Sequence, residues 1–150
     1  LNRQASLAPA SLLCLIESGK FLSLAPECCG AVLLQKPFYL DFAGPGAAIG
    51  SRFDRHCTAV YLIGTLKFSE SITASERQLA LQRRMAYAKQ LEAIARMKAP
   101  FARARSIQHH LNQWLGIQEA KTIPDAWVAQ LVGLQPETIA FARKHGQVDV

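Results

Sequence analysis

The 150-residue chain lacks most of the residue patterns that announce chemistry. It has four cysteines, at 14, 28, 29 and 57, and none are spaced C-x2-C, the pairing on which most zinc sites are built. Adjacent Cys28 and Cys29 point apart in extended chain, so the four are expected to be reduced thiols. No HExxH, GxSxG or phosphate-cradling glycine loop occurs. His56 lies close in sequence to Asp54 and Cys57, but no base stands in a recognisable relation to a nucleophile. His109 and His110 are neighbours in a predicted helix, where consecutive side chains diverge by about 100°. The chain is therefore expected to be no enzyme and to carry no cofactor or metal. Its longest apolar runs, 12–16 and 59–63, fall far short of the roughly 18 residues of a membrane span. The segment after Leu1 has no basic-then-apolar leader pattern. A cytoplasmic protein with no membrane partner is expected.

What is present is half hydrophobic and about a fifth charged, enough apolar residues for a buried core. The net charge is +6, and it is uneven. Residues 1–70 carry six basic and five acidic side chains, whereas 71–150 carry eleven and six. A basic second half suits a polyanion.

Short strands are expected first. Residues 20–25, 31–35, 38–42 and 57–64 are rich in branched and aromatic side chains and are separated by turn residues, among them Gly44-Pro45-Gly46. The run 11–16 fits either a strand or a short helix. From 71 to 98 there is neither Pro nor Gly. Leu81, Met85, Ala88, Leu91 and Ala95 recur at helical spacing, with Thr73 or Ser75 available as N-cap. So long a helix needs a partner, and a second copy of itself is preferred over its own strands. Pro100 restarts the chain as a helix over 101–115, with Ala104, Ile107, Leu111 and Leu115 on one face and Gly116 closing it. Thr122 is expected to cap a short helix whose first residues include Pro124.

Residues 125–144 then fit a helix-turn-helix. Ala129 is small where two helices touch, Gly133 stands at the turn, and Ile139 and Ala142 face inward. Val128, Val132 and Leu134 complete the small core. The second helix, 136–144, is the one expected to enter a DNA major groove. Gly146 and Val148 are expected to open a truncated β wing.

The order of elements resembles the catabolite-activator family, the Crp/Fnr type of transcription regulator. The resemblance is carried by IESGKFLSL (16–24), DFAGPGAAIG (41–50), TAVYLIGTLKFSESI (58–72), ARSIQHHLNQWL (104–115) and the segment 122–150. It implies an α+β fold: a partial β-roll of short strands over 1–70, a long dimerisation helix over 71–98, and a winged helix-turn-helix over 99–150. It also implies a homodimer acting on double-stranded DNA. Members that bind cyclic nucleotide carry a Glu after the glycine turn and a downstream Arg-Ser or Arg-Thr. Here Gly50 is followed by SRFDRHC, a shortened loop, so no cyclic nucleotide is expected. Arg52 and Arg55 are read as solvated surface rather than an anion site.

The recognition helix departs from the family pattern R-E-T-V-x-R in having Pro136-Glu137-Thr138-Ile139-Ala140-Phe141. Glu137 matches a position that accepts a hydrogen bond from cytosine. Both flanking arginines are missing. Arg143 and Lys144 are the candidates for phosphate contacts, with Gln135 and Thr138 in other geometries. Phe141 suits either a thymine methyl or another protein. The alternative function is a protein-interaction module, on a winged-helix scaffold, that has lost specific DNA binding.

Overall fold

The computed structural model describes residues 2–4, 8–70 and 73–145, and for 2–4 the backbone alone. Gly146 and Val148, the expected wing, lie outside the described residues. The chain is a mixed α+β protein with two small antiparallel sheets, neither closed. It divides into two compact units, 1–88 and 89–150.

In the first unit, β1 (Asn2–Gln4), β7 (Lys67–Ser69), β2 (Phe21–Leu24) and β5 (Ala48–Gly50) form one sheet in that order. The other sheet places β3 (Cys29–Gln35) between β4 (Leu40–Ala43) and β6 (Ala59–Thr65). The strand read at 57–64 thus begins two residues later. The ambiguous run at 11–16 is helical: α1 (Pro9–Glu17) starts on Pro9, whose fixed φ and missing N–H suit a first helical position. Its Leu12 and Ile16, one turn apart, are fully buried in a core with Leu22, Leu24, Val32, Leu34, Ile49, Val60 and Phe68. In β3 every residue from Gly30 to Leu34 is buried, so the strand is covered on both faces and shows no alternation.

Helix α2 (Ala74–Ala95) begins with a capping box. The Glu76 N–H donates to Thr73 Oγ1 at 3.1 Å, and the Thr73 N–H to Glu76 Oε1 at 3.2 Å. Its buried face is not the expected one. Leu91 is buried, but Leu81 is half-buried and Met85, Ala88 and Ala95 are exposed. The buried positions are Ala80, Arg84, Leu91 and Ile94, a stripe rotated by part of a turn. Arg84 lies on it because its charge is matched. Its guanidinium donates to both oxygens of Asp54, at 3.0 and 2.8 Å, to Asp41 Oδ2 at 2.7 Å and to the Ala48 carbonyl at 3.0 Å. Lys36 completes the cluster, 3.1 Å from Asp54. Next to this, the Tyr87 hydroxyl donates to the Pro45 carbonyl at 2.8 Å, and the ring meets Phe42 edge-on.

The second unit begins inside α2 and continues through α3 (Pro100–Leu115), α4 (Ile117–Ala120), α5 (Asp125–Val132) and α6 (Pro136–His145). Helix α4 had no sequence counterpart. Thr122 does not cap α5: its hydroxyl donates backward to the Glu119 carbonyl at 2.7 Å, and Pro124 flanks the helix without entering it.

Candidate nucleic-acid interface

The last two helices are positioned by a small apolar core. Ala104, Ile107, Leu111 and Leu115 of α3 are buried, as are Ile123, then Val128, Ala129 and Val132 of α5, and Ile139 and Ala142 of α6. Ala129 has no side chain beyond its Cβ, which lets the helices approach closely. Gly133 closes α5 in a left-handed conformation, φ 68° and ψ 43°, where any Cβ is strained. The Leu134 N–H returns to the Ala129 carbonyl at 2.9 Å, and α6 starts two residues later at Pro136.

Two arginines lock this arrangement. Arg143 extends across four elements. Its guanidinium donates to Gln108 Oε1 on α3 at 2.8 Å, and to the Ala120 carbonyl ending α4 at 3.2 Å. It also reaches the Ile123 carbonyl and Asp125 Oδ1, each at 2.7 Å. Arg103 bonds the Met97 carbonyl through Nε at 2.9 Å and the Gly133 carbonyl through Nη1 at 3.3 Å. That places a cation over the C-terminal end of α5, where the helix dipole favours one.

The six residues singled out from the sequence are distributed as follows. Gln135, Glu137 and Lys144 are exposed on or beside α6, and Thr138 is half-buried. Phe141 is 55% exposed at the middle of the outer face. Arg143 differs from the rest: its side chain points into the unit and donates to Gln108, Ala120, Ile123 and Asp125. The signal for this was in the sequence. Arg143 follows buried Ile139 by four residues, so it shares the inward face.

The outer face of α6 is aromatic rather than strongly basic. The Phe141 ring meets Phe101 edge-on, centroids 5.5 Å apart, and lies 4.2 Å from the His145 ring. Arg105 sits 6.0 Å from the Phe101 centroid. Glu137 and Lys144 oppose each other in sign. Among the described residues no group of His, Cys, Asp and Glu is arranged to hold a metal ion. His110 bonds the Ser106 carbonyl through Nδ1 at 2.8 Å, an ordinary helix contact. No described helix is long and apolar enough to cross a membrane.

In the first unit, the turn after Gly50 is occupied by Asp54. Its carboxylate accepts the Gly50 N–H at 2.7 Å as well as the Arg84 and Lys36 donors. Burial alone would raise the Asp54 carboxyl, but these partners outweigh it and hold the group below the ordinary carboxylate value. Burial likewise opposes the charge on Arg84, and the two aspartates reverse that too, so the guanidinium stays protonated.

The chain matches no protein-family model, and no curated protein matches it significantly.

Proposed function

We propose that the second unit is a helix-turn-helix that lays α6 on double-stranded DNA, in a transcription regulator of the catabolite-activator type. The observation that carries this reading is the α5–Gly133–α6 corner. A left-handed glycine, a small residue at the helix contact and a second helix with one whole face exposed are what a groove-binding helix requires. Gln135, Glu137 and Thr138 at the start of α6 are the base-reading candidates, Lys144 contacts phosphate, and Phe141 meets a thymine methyl. Arg143 is reassigned: it holds the recognition helix in place. The net positive charge of residues 71–150 supplies the general attraction to DNA.

The reading includes a homodimer formed through α2. Its support is the apolar stripe Leu81, Met85, Ala88 and Ala95, none of which is fully buried by the chain's own residues. The protein acts without cyclic nucleotide. The two cations facing the turn after Gly50, Lys36 and Arg84, are already neutralised by Asp41 and Asp54.

The second reading, a protein-interaction module on the same scaffold, is favoured by a specific observation. The aromatic group Phe101, Phe141 and His145 occupies the centre of the outer face, and the basic residue expected there is turned inward.

Selection from a pool of random DNA duplexes at two salt concentrations separates the two. Enrichment of a two-fold symmetric site, lost on Lys144→Ala with Gln135→Ala, supports the regulator. Absence of retention even at low salt refutes DNA binding and leaves the protein-interaction reading.

A further inference from the structure

The first unit carries another exposed surface, formed by the tip of the β3–β4 hairpin and the 3-10 turn that follows β5. The hairpin closes through the Lys36 N–H to the Tyr39 carbonyl at 2.9 Å, which thrusts out Pro37, Phe38 and Tyr39. Phe38 is 97% exposed, Tyr39 53% and Phe53, in the 3-10 turn, 39%. Phe38 therefore contributes almost nothing to folding, and the aromatic cost of the tip is not repaid within the chain.

Lys36 links the hairpin tip to the 3-10 turn. The Lys36 ammonium donates to the Phe53 carbonyl at 2.8 Å and lies 5.8 Å from the centre of the Tyr39 ring. The Arg84 guanidinium sits 5.2 Å from the centre of the Phe53 ring. Both cations are buried and neutralised by Asp41 and Asp54, so they brace the surface from beneath without charging it. The charge that reaches solvent comes from the turn itself. Arg52, Arg55 and His56 are exposed, and neither arginine has an ion-pair partner among the described residues. No acidic residue of the turn is exposed, because Asp54, its one carboxylate, points inward.

We propose that this surface docks an acidic segment of another protein, one in which Asp and Glu alternate with large apolar side chains. The apolar side chains lie on Phe38, Tyr39 and Phe53, and the carboxylates pair with Arg52 and Arg55. Tyr, Phe and Arg are the residues that protein interfaces concentrate, and rigid aromatic anchors lose little entropy on binding. Two arginines flanking an aromatic centre are too few for a polyanion backbone, which is held by rows of cations. The surface lies outside α6, and its use does not depend on DNA binding.

The test pans a displayed random-peptide library on the full-length chain. The enriched peptides are then titrated by fluorescence anisotropy against the parent, Phe38→Ala/Tyr39→Ala and Arg52→Ala/Arg55→Ala. Both double variants alter exposed side chains, and circular dichroism confirms that they fold. Acidic, apolar-bearing peptides are expected to be enriched and to lose roughly tenfold or more in affinity on each double variant. Rising salt should weaken binding to the parent. Enrichment of neutral or basic peptides overturns the proposal, as does equal binding to parent and variants. Phosphatidylglycerol vesicles and a short DNA duplex serve as competing probes. Binding of either through Phe38 and Arg52, without binding of acidic peptides, assigns the surface to lipid or nucleic acid and also overturns it.

Discussion

Arg143→Ala distinguishes a residue available to a ligand on the outer face of α6 from one that holds α6 in place. The guanidinium makes four hydrogen bonds, to Gln108, Ala120, Ile123 and Asp125. Bonds to a charged donor are worth about 1.5–3 kcal/mol each when isolated, but they are not additive around one group. The Asp125 carboxylate is 40% exposed, so screening leaves its ion pair worth well under about 1 kcal/mol. The carbonyls of Ala120 and Ile123 end a helix and a turn, and water entering the vacated space recovers part of their loss. A net cost of about 2–3 kcal/mol follows. For a unit the size of residues 89–150, each kcal/mol shifts the midpoint by about 4–8 °C, so its unfolding falls by roughly 10–20 °C. Thermal melts followed by circular dichroism measure this, with exposed Lys144→Ala as the control, expected within about 0.5 kcal/mol of the parent. If Arg143→Ala melts like the parent yet loses DNA, the internal clamp is wrong and Arg143 belongs to the interface.

Three further outcomes follow from the same structure. Asp54→Asn leaves Lys36 and Arg84 short of a buried counter-charge and should cost about 3–5 kcal/mol, read from urea denaturation. Because folding lowers the Asp54 carboxyl, its contribution is complete above the ordinary value of 3.8 and is lost as pH falls through the lower folded value. The parent should therefore lose stability in acid more steeply than Asp54→Asn. Tyr87 is pushed up to about 12, chiefly by burial, so its contribution is present below the ordinary value of 10 and is lost as pH rises through about 12. An ultraviolet titration should show a late phenol that is absent in Tyr87→Phe. Gly133→Ala meets no neighbouring atom, so its cost is the left-handed backbone alone, about 1 kcal/mol by denaturant melts, and a much larger loss would refute that account.

Local signals determined much of the chain. The spacing of Ala104, Ile107, Leu111 and Leu115, the restart at Pro100 and the stop at Gly116 defined α3, because each acts within a turn or two of backbone. The same holds for α5, Gly133 and α6, where side-chain size and allowed φ/ψ are properties of single residues. Strands β2, β3 and β4 were legible from their branched and aromatic content. The residues 11–16 were not, since a short apolar run suits either a strand or a buried helix, and packing against the core selected the helix.

Tertiary structure decided where the charges went. The apolar residues of α2 pointed to Leu81, Met85 and Ala88, yet its buried face centres on Ala80 and Arg84, because Asp41 and Asp54, distant in sequence, supply the counter-charge. Arg143 looked like a free cation near the end of α6 until Gln108, Ala120, Ile123 and Asp125 converged on it. Backbone preference and hydrophobic period are local and can be read in order along the chain. The partner of a charge is set by which distant segments meet, and only the folded chain fixes whether an arginine faces solvent or is bound within the protein.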